Sequence, residues 1–259
     1  MVKIALTSDV HRGTKPGRYP WTHGWPKEAE VVIIAGDIES LPFLKEEAVK
    51  YPDKLFIVVL GNHDFWNRPL GDKTVKRWKK KLAPYANIQV LERDVLHYED
   101  VVFLGTTLWC NPKPAHWYDV EQGINCFDEI RTTNGRKGIT CSHLIEEHKR
   151  MKAWLIEELE ANKDKKVVVV THVPPMSILC DEERRMDPVS DYYHGGMDLE
   201  MMQWQDESIF PAVWCFGHTH ERVSRVMGPT RFESNAFGYP FGPDKNRVSE
   251  FDPELIIEV

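Results

Sequence analysis

Short runs of β-branched and aliphatic residues, each closed by a polar cluster, alternate along this chain with stretches of helical period. The runs Lys3–Thr7, Val31–Ala35, 55–60, Val101–Thr106, 167–171 and Val213–Phe216 mostly lack an in–out alternation. They are predicted to be strands buried on both faces, as in a sheet covered by helices. From 143 to 161, Leu144, His148, Met151, Leu155 and Leu159 recur every three or four residues, which predicts a helix with one mostly apolar stripe. Ser142 is its expected N-cap, although Ile145 stands where a capping box would place an acid or amide. Shorter helices are expected at Leu41–Lys50 and 73–82. Trp78 and Leu82 supply the buried side of the latter, and its lysines a solvated face. After His220, strands at 223–227, 230–233 and 255–259 with turns at 228–229 and 238–243 imply a second sheet.

The 259 residues fit one domain, 1–259, with insertions at about 109–141 and 174–205; no linker or repeat divides it. A net charge of -7 argues against a partner such as long nucleic acid, whose affinity rests on a basic excess. The apolar runs are far too short to cross a membrane, and Met1-Val2-Lys3-Ile4 lacks the plan of an export signal. The 5 cysteines, odd in number and scattered, suit neither a disulfide framework nor a zinc ribbon. A reducing, cytoplasmic location follows, with most cysteines buried and Cys126 and Cys180, in expected loops, the exceptions.

The polar clusters carry the chemistry. Asp9-Val10-His11, Gly36-Asp37, Gly61-Asn62-His63-Asp64, Thr171-His172 and Gly217-His218-Thr219-His220 each follow a predicted strand. The carboxyl ends of an α/β sheet gather such loops into one crevice. One histidine at a strand end is ordinary. Separate strand ends that all supply Asp, His or Asn, with glycines at the turns, are hard to explain by packing.

In these motifs the chain resembles the calcineurin-like metallophosphoesterases, whose pattern is Asp-x-His, Gly-Asp, Gly-Asn-His-Asp/Glu, a lone His and Gly-His-x-His. Every block is present in order from Asp9 to His220. The resemblance implies a four-layer α-β-β-α sandwich of two mixed β-sheets flanked by helices, with the active site at the carboxyl ends of the strands. It implies that Asp9, His11 and His220 hold one metal, that Asn62, His172 and His218 hold another, and that Asp37 bridges them. His63 is then the catalytic histidine beside the phosphate, with Asp64 placed to fix its tautomer. The expected reaction is hydrolysis of a phosphomonoester or phosphodiester by a hydroxide that bridges the metals. Two cations roughly 3.5–4 Å apart generate such a nucleophile and clamp the attacking and leaving oxygens. A mixed oxygen and nitrogen donor set without thiolate favours Mn, Fe, Zn or Co.

For the substrate side, Trp109, His116, Trp117, Tyr118, Phe127, Arg131, His194 and Trp204 fall in the two insertions, and Arg131 suits a phosphate oxygen. Asn235, in Ser234-Asn235-Ala236-Phe237-Gly238-Tyr239, lies in a segment similar to the Asn-x-x-Gly-Tyr close of a small microbial and phage branch of the family. The expected substrate is a small or nucleotide-like phosphate ester. A nuclease is the alternative if Lys15, Arg18, Lys113 and Arg131 gather beside the metals, and a metal-binding scaffold without turnover is another. No oligomeric interface is legible.

Overall fold

The computed structural model describes residues 1–12, 21–136, 138–207, 209–239 and 250–259. Two mixed sheets stack face to face. The first has the order β11-β1-β2-β3-β4, from Ile257–Glu258, Lys3–Thr7, Val31–Ala35, Leu55–Val59 and Ile88–Leu91. Only β11 runs antiparallel in it. The second has the order β5-β6-β7-β8-β10-β9, from Asp94–Tyr98, Val101–Thr106, Lys166–Thr171, Val213–Phe216, Thr230–Asn235 and Arg222–Met227. Its two edge strands, β5 and β9, are antiparallel to their neighbours. The helices are α1 (Leu41–Lys50), α2 (Asp72–Leu82), α3 (Trp117–Gly123), α4 (Cys126–Glu129), α5 (Cys141–Ala161), α6 (Glu182–Met186) and α7 (Asp198–Glu207).

The strand periodicity explains the layering. In β2 and β3, Val31, Ile33, Ala35, Ile57 and Val59 face the second sheet, where Val101, Phe103, Val168, Val170 and Cys215 meet them. The alternate residues Val32, Ile34, Phe56 and Val58 face outward, onto Phe43 and Leu44 of α1 and Val75 and Trp78 of α2. On the far side, Val102, Leu104, Val169 and Trp214 pack under Leu155 and Leu159 of α5 and Met197 and Met201 near α7. Each such side chain withdrawn from water contributes about 1.5–3 kcal/mol. Strands covered on both faces therefore read as unbroken apolar runs.

Three local expectations change. β4 and β5 were not anticipated: they are short, and Glu92 and Arg93 between them carry the chain from one sheet to the other. Segment 255–259 contributes only β11, and that strand pairs with β1 in the first sheet, whereas β9 and β10 extend the second. Helix α5 starts two residues early: Thr140 is the N-cap, and its N–H donates to His143 Nδ1 at 3.1 Å. The histidine ring fills the place usually taken by an acid or amide in a capping box.

Candidate metal centre

The motif residues meet at one end of the sandwich, where a bridge between Ser8 and Ala236 stitches the two sheets together. Their backbone is unusual. Asp9, His11, Asp37, Glu39, His218 and His220 all sit at positive φ, of 55, 49, 55, 59, 71 and 55°. Left-handed backbone at a residue with a side chain costs of order 1–3 kcal/mol, so the surrounding structure must enforce it. Hydrogen bonds between the loops do this. Asp9 N–H donates to Gly36 O at 3.0 Å, His11 N–H to Asp37 O at 2.9 Å and Gly217 N–H to His172 O at 2.9 Å. Two glycines leave the necessary room: a Cβ on Gly61 would overlap Asp37 Oδ1, and one on Gly36, itself at φ 91°, would overlap the His172 ring.

Asp9, His11 and His220 form one buried group of metal-competent donors, and Asp37 and His172 extend it through Asp9. Asp37 Oδ2 stands 3.9 Å from His11 Nε2 and 3.5 Å from His172 Nε2, between the two halves. Asn62 Oδ1 is 2.9 Å from His172 Nε2 and 3.0 Å from His218 Nδ1. His172 Nδ1 faces Ala35 O at 2.9 Å, His218 Nε2 faces Tyr192 O at 3.2 Å, and His11 Nδ1 faces Glu39 Oε1 at 2.6 Å. Oxygen acceptors on these nitrogens require N–H there, so in a neutral ring the opposite nitrogen presents its lone pair to the centre. His11 Nε2 and His220 Nε2 approach to 3.1 Å, and His218 Nδ1 points its lone pair at the amide oxygen of Asn62. Donor atoms crowded in this way fit a cation between them.

The charges agree. Burial pushes Asp9 upward, but His220 and His172 pull its carboxyl below the usual range. Burial likewise opposes ionisation of Asp37, while His172 and His63 draw it well below that range. Burial would discharge His172, yet Asp37 and Asp9 raise it to about 9, so without a metal a proton serves as the cation. His218 is lowered to about 3 by burial and by His172, and stays neutral. A site with these donors releases a proton when it takes up metal. Asp9, His11, His220, Asp37 and His172 thus form clusters whose donors fit a metal ion, with Asn62 and His218 beside them.

Two arrangements differ from the sequence expectation. Asp64 serves the backbone: its carboxylate accepts N–H groups of Asp37 at 3.0 Å, Glu39 at 2.7 Å and Gly61 at 2.8 Å, tying two motif loops together. Glu39 takes the place expected for Asp64 beside His63. Its Oε1 lies within ion-pair reach of His63 Nδ1, at 3.2 Å, while also meeting His11. Burial works against the Glu39 charge, but His11 and His63 hold its pKa down to about 2. A sequence cue existed, since Glu39 follows Asp37 by two residues and was the acid of that loop left unassigned.

Beside the centre opens a cleft of about 280 Å³. Asp37, Asn62, His63, His218 and His220 form its floor, and Trp66, Gly123 to Cys126, Arg184, Tyr192, Tyr193 and Tyr239 its walls. Trp66 stacks on His63 with centroids 3.9 Å apart and planes 22° apart, and the Tyr239 hydroxyl lies 3.3 Å from His63 Nε2.

The three anticipated substrate contacts are not in these walls. Trp109, 1% exposed, packs behind the floor against Phe65. Asn235 is a buried brace: its amide donates to Leu6 O and Asp252 O, both at 2.8 Å, and its oxygen accepts from Arg222 and the Asp252 N–H. In its segment it is Tyr239 that reaches the cleft. Arg131 bridges through its backbone to Arg68 and Leu70, and its side chain does not line the cleft.

The other aromatic and histidine candidates also have local roles. Phe127 is buried beside Tyr192, Trp117 donates to Pro112 O, His116 pairs with Asp191, and Tyr118 is exposed. His194 and Lys113 line a separate depression. Cys126 and Cys180 are buried like the other cysteines. Lys15, Arg18 and the side chain of Trp204 lie outside the described residues, as does most of the turn at 238–243.

Among known proteins, a family described as calcineurin-like phosphoesterase matches residues 2–222. An uncharacterized protein of Acanthamoeba polyphaga mimivirus is 20% identical over 249 residues, which is 90% of this chain and 85% of that protein. A solved structure of phosphopantetheinyl hydrolase from Mycobacterium tuberculosis has a similar fold, with TM-score 0.73 at 16% identity, covering 95% of this chain and 92% of that one. A putative 5'-nucleotidase from Staphylococcus aureus matches with TM-score 0.50 at 16% identity, over 90% of this chain and 48% of its own.

Proposed function

Because the chain belongs to the calcineurin-like phosphoesterase family, we propose that it is a two-metal phosphoesterase that hydrolyses a small or nucleotide-like phosphomonoester or phosphodiester. The observation that carries this reading is the convergence of ring nitrogens from His11, His220, His172 and His218 on either side of Asp37. When bound, two ions of Mn, Fe, Zn or Co supply a nucleophile at neutral pH and offset the charge that develops on the phosphate.

The chain's own groups do the rest. His63 stands at the cleft floor with Nδ1 toward Glu39, so its Nε2 is the nitrogen offered to a substrate. The carboxylate orients the ring, which places Nε2 to donate a proton to the departing oxygen or a hydrogen bond to the phosphate. Trp66 fixes the plane of that ring by stacking. Asn62 contributes an uncharged oxygen, which leaves more positive charge for the anionic substrate.

Arg184 is the cationic side chain among the described residues of the cleft walls. Glu221 at 3.4 Å and Tyr193, whose ring centroid is 5.3 Å from the guanidinium, hold it in place. This placement suits a second anionic group on the substrate. Tyr192, Tyr193 and Trp66 offer faces for a planar leaving group. The small volume and single described cation favour a compact ester over a polynucleotide. Free thiols at every cysteine suit a reducing, cytoplasmic setting, and among the described residues no helix is long and apolar enough to cross a membrane. Turnover of aryl phosphate monoester and diester by metal-stripped protein, before and after each metal is added back, tests the reading. Restored turnover supports it. Protein that holds two metals and cleaves neither ester supports the scaffold reading.

A further inference from the structure

Cys126 is 2% exposed, yet it lines the cleft beside the metal centre. Its sulfur receives two side-chain N–H groups, from Asn62 Nδ2 at 3.1 Å and from Trp66 Nε1 at 3.2 Å. We infer that Cys126 is a positioning residue for the centre, one that sets the orientation of the metal-ligating amide and the platform under the catalytic histidine through a single acceptor atom. The inference rests on the reading of Asn62 as a ligand.

The ends of an amide are not equivalent. Asn62 must turn its oxygen toward His172 Nε2 and His218 Nδ1, as it does at 2.9 and 3.0 Å, because an N–H there would repel a cation. That choice sends Nδ2 the opposite way, into the buried ground occupied by Cys126. An acceptor at that place favours the oxygen-inward orientation, and an apolar atom would leave a buried N–H without a partner. Trp66 meets the same sulfur, and its ring lies flat on His63.

The sulfur is placed by the first insertion, which docks on the loop after the motif. Trp66 bridges Ile130, Pro69 bridges Arg131, and Asn67 N–H donates to Glu129 O at 2.8 Å. Through Cys126 this docking reaches both a ligand and the catalytic histidine.

The test is Co(II) titration of metal-stripped full-length protein, followed by visible and near-ultraviolet absorbance. Wild type is compared with Cys126→Val, which fills the space without an acceptor, and with Cys126→Ser, which keeps one. Wild type is expected to take up two ions without a sulfur-to-cobalt charge-transfer band. The valine variant should bind one ion as wild type does and the other about 10–100-fold more weakly, as when a partner behind a metal ligand is removed. The serine variant should recover most of that loss. Equal affinities in wild type and Cys126→Val would overturn the proposal, as would equal weakening in the valine and serine variants, which marks packing alone. A thiolate band in wild type would make the sulfur a ligand and overturn it as well. Wild type that fails to bind two ions would instead overturn the reading of the centre itself.

Discussion

The floor of the cleft and its walls are built by different means. The floor is set by backbone: Asp9, His11, Asp37, Glu39, His218 and His220 all sit in the left-handed region, locked by hydrogen bonds between loops that end buried strands. The walls are set by side-chain packing, much of it on short helices of the two insertions, where Cys126 and Arg184 ride on α4 and α6. A donor held by strained backbone has little freedom to adapt, which suits a fixed pair of cations. A wall held by packing can change its side chains without disturbing the strands below. Chemistry and substrate choice are thus separable at Arg184, held by Glu221 and Tyr193, and coupled at Cys126, which touches Asn62, and substitutions can test that difference.

The largest effect is expected at the floor. His63→Asn should lower kcat by roughly 10²–10⁴-fold, the usual worth of a general acid, while metal analysis still finds both ions. Glu39→Gln should follow, with about 10–100-fold lost in kcat or in metal affinity, since the amide cannot carry the charge that His63 and His11 share. At the wall, Arg184→Ala should reduce kcat/KM about tenfold or more for an ester bearing a second anionic group, in keeping with a charged hydrogen bond of about 1.5–3 kcal/mol. It should leave kcat/KM for a neutral-tailed ester unchanged. An equal loss with both esters would place Arg184 in the chemistry and blur the division. The smallest effect on catalysis belongs to Asn235→Ala, which should cost about 1–3 kcal/mol in urea unfolding through its lost buried hydrogen bonds and leave KM alone.

The same division governs what the sequence made legible. Each floor residue follows a strand, and strands buried on both faces announce themselves as apolar runs, so fold and ligand loops could be located together. Glu39 escaped although it follows Asp37 by two residues, because only folding brings His63 beside it. Trp109 and Asn235 were misplaced for the converse reason. An aromatic residue in a long connection and an amide near a turn look available, and only long-range packing shows that Phe65 covers one and that Leu6, Asp252 and Arg222 satisfy the other. Arg184 carries no spacing signal, and Tyr239 closes the Asn-x-x-Gly-Tyr segment, in which the sequence drew attention to Asn235 and only the fold shows that the tyrosine reaches the cleft. β4 and β5 were missed as short strands flanking a change of sheet.

The proposed function requires two cations that share Asp37. Anomalous diffraction from crystals of Mn-loaded protein tests this most directly. It should reveal two peaks flanking the Asp37 carboxylate, one among Asp9, His11 and His220 and the other among Asn62, His172 and His218. A single peak, or peaks elsewhere with these side chains bonded only to one another, would contradict it.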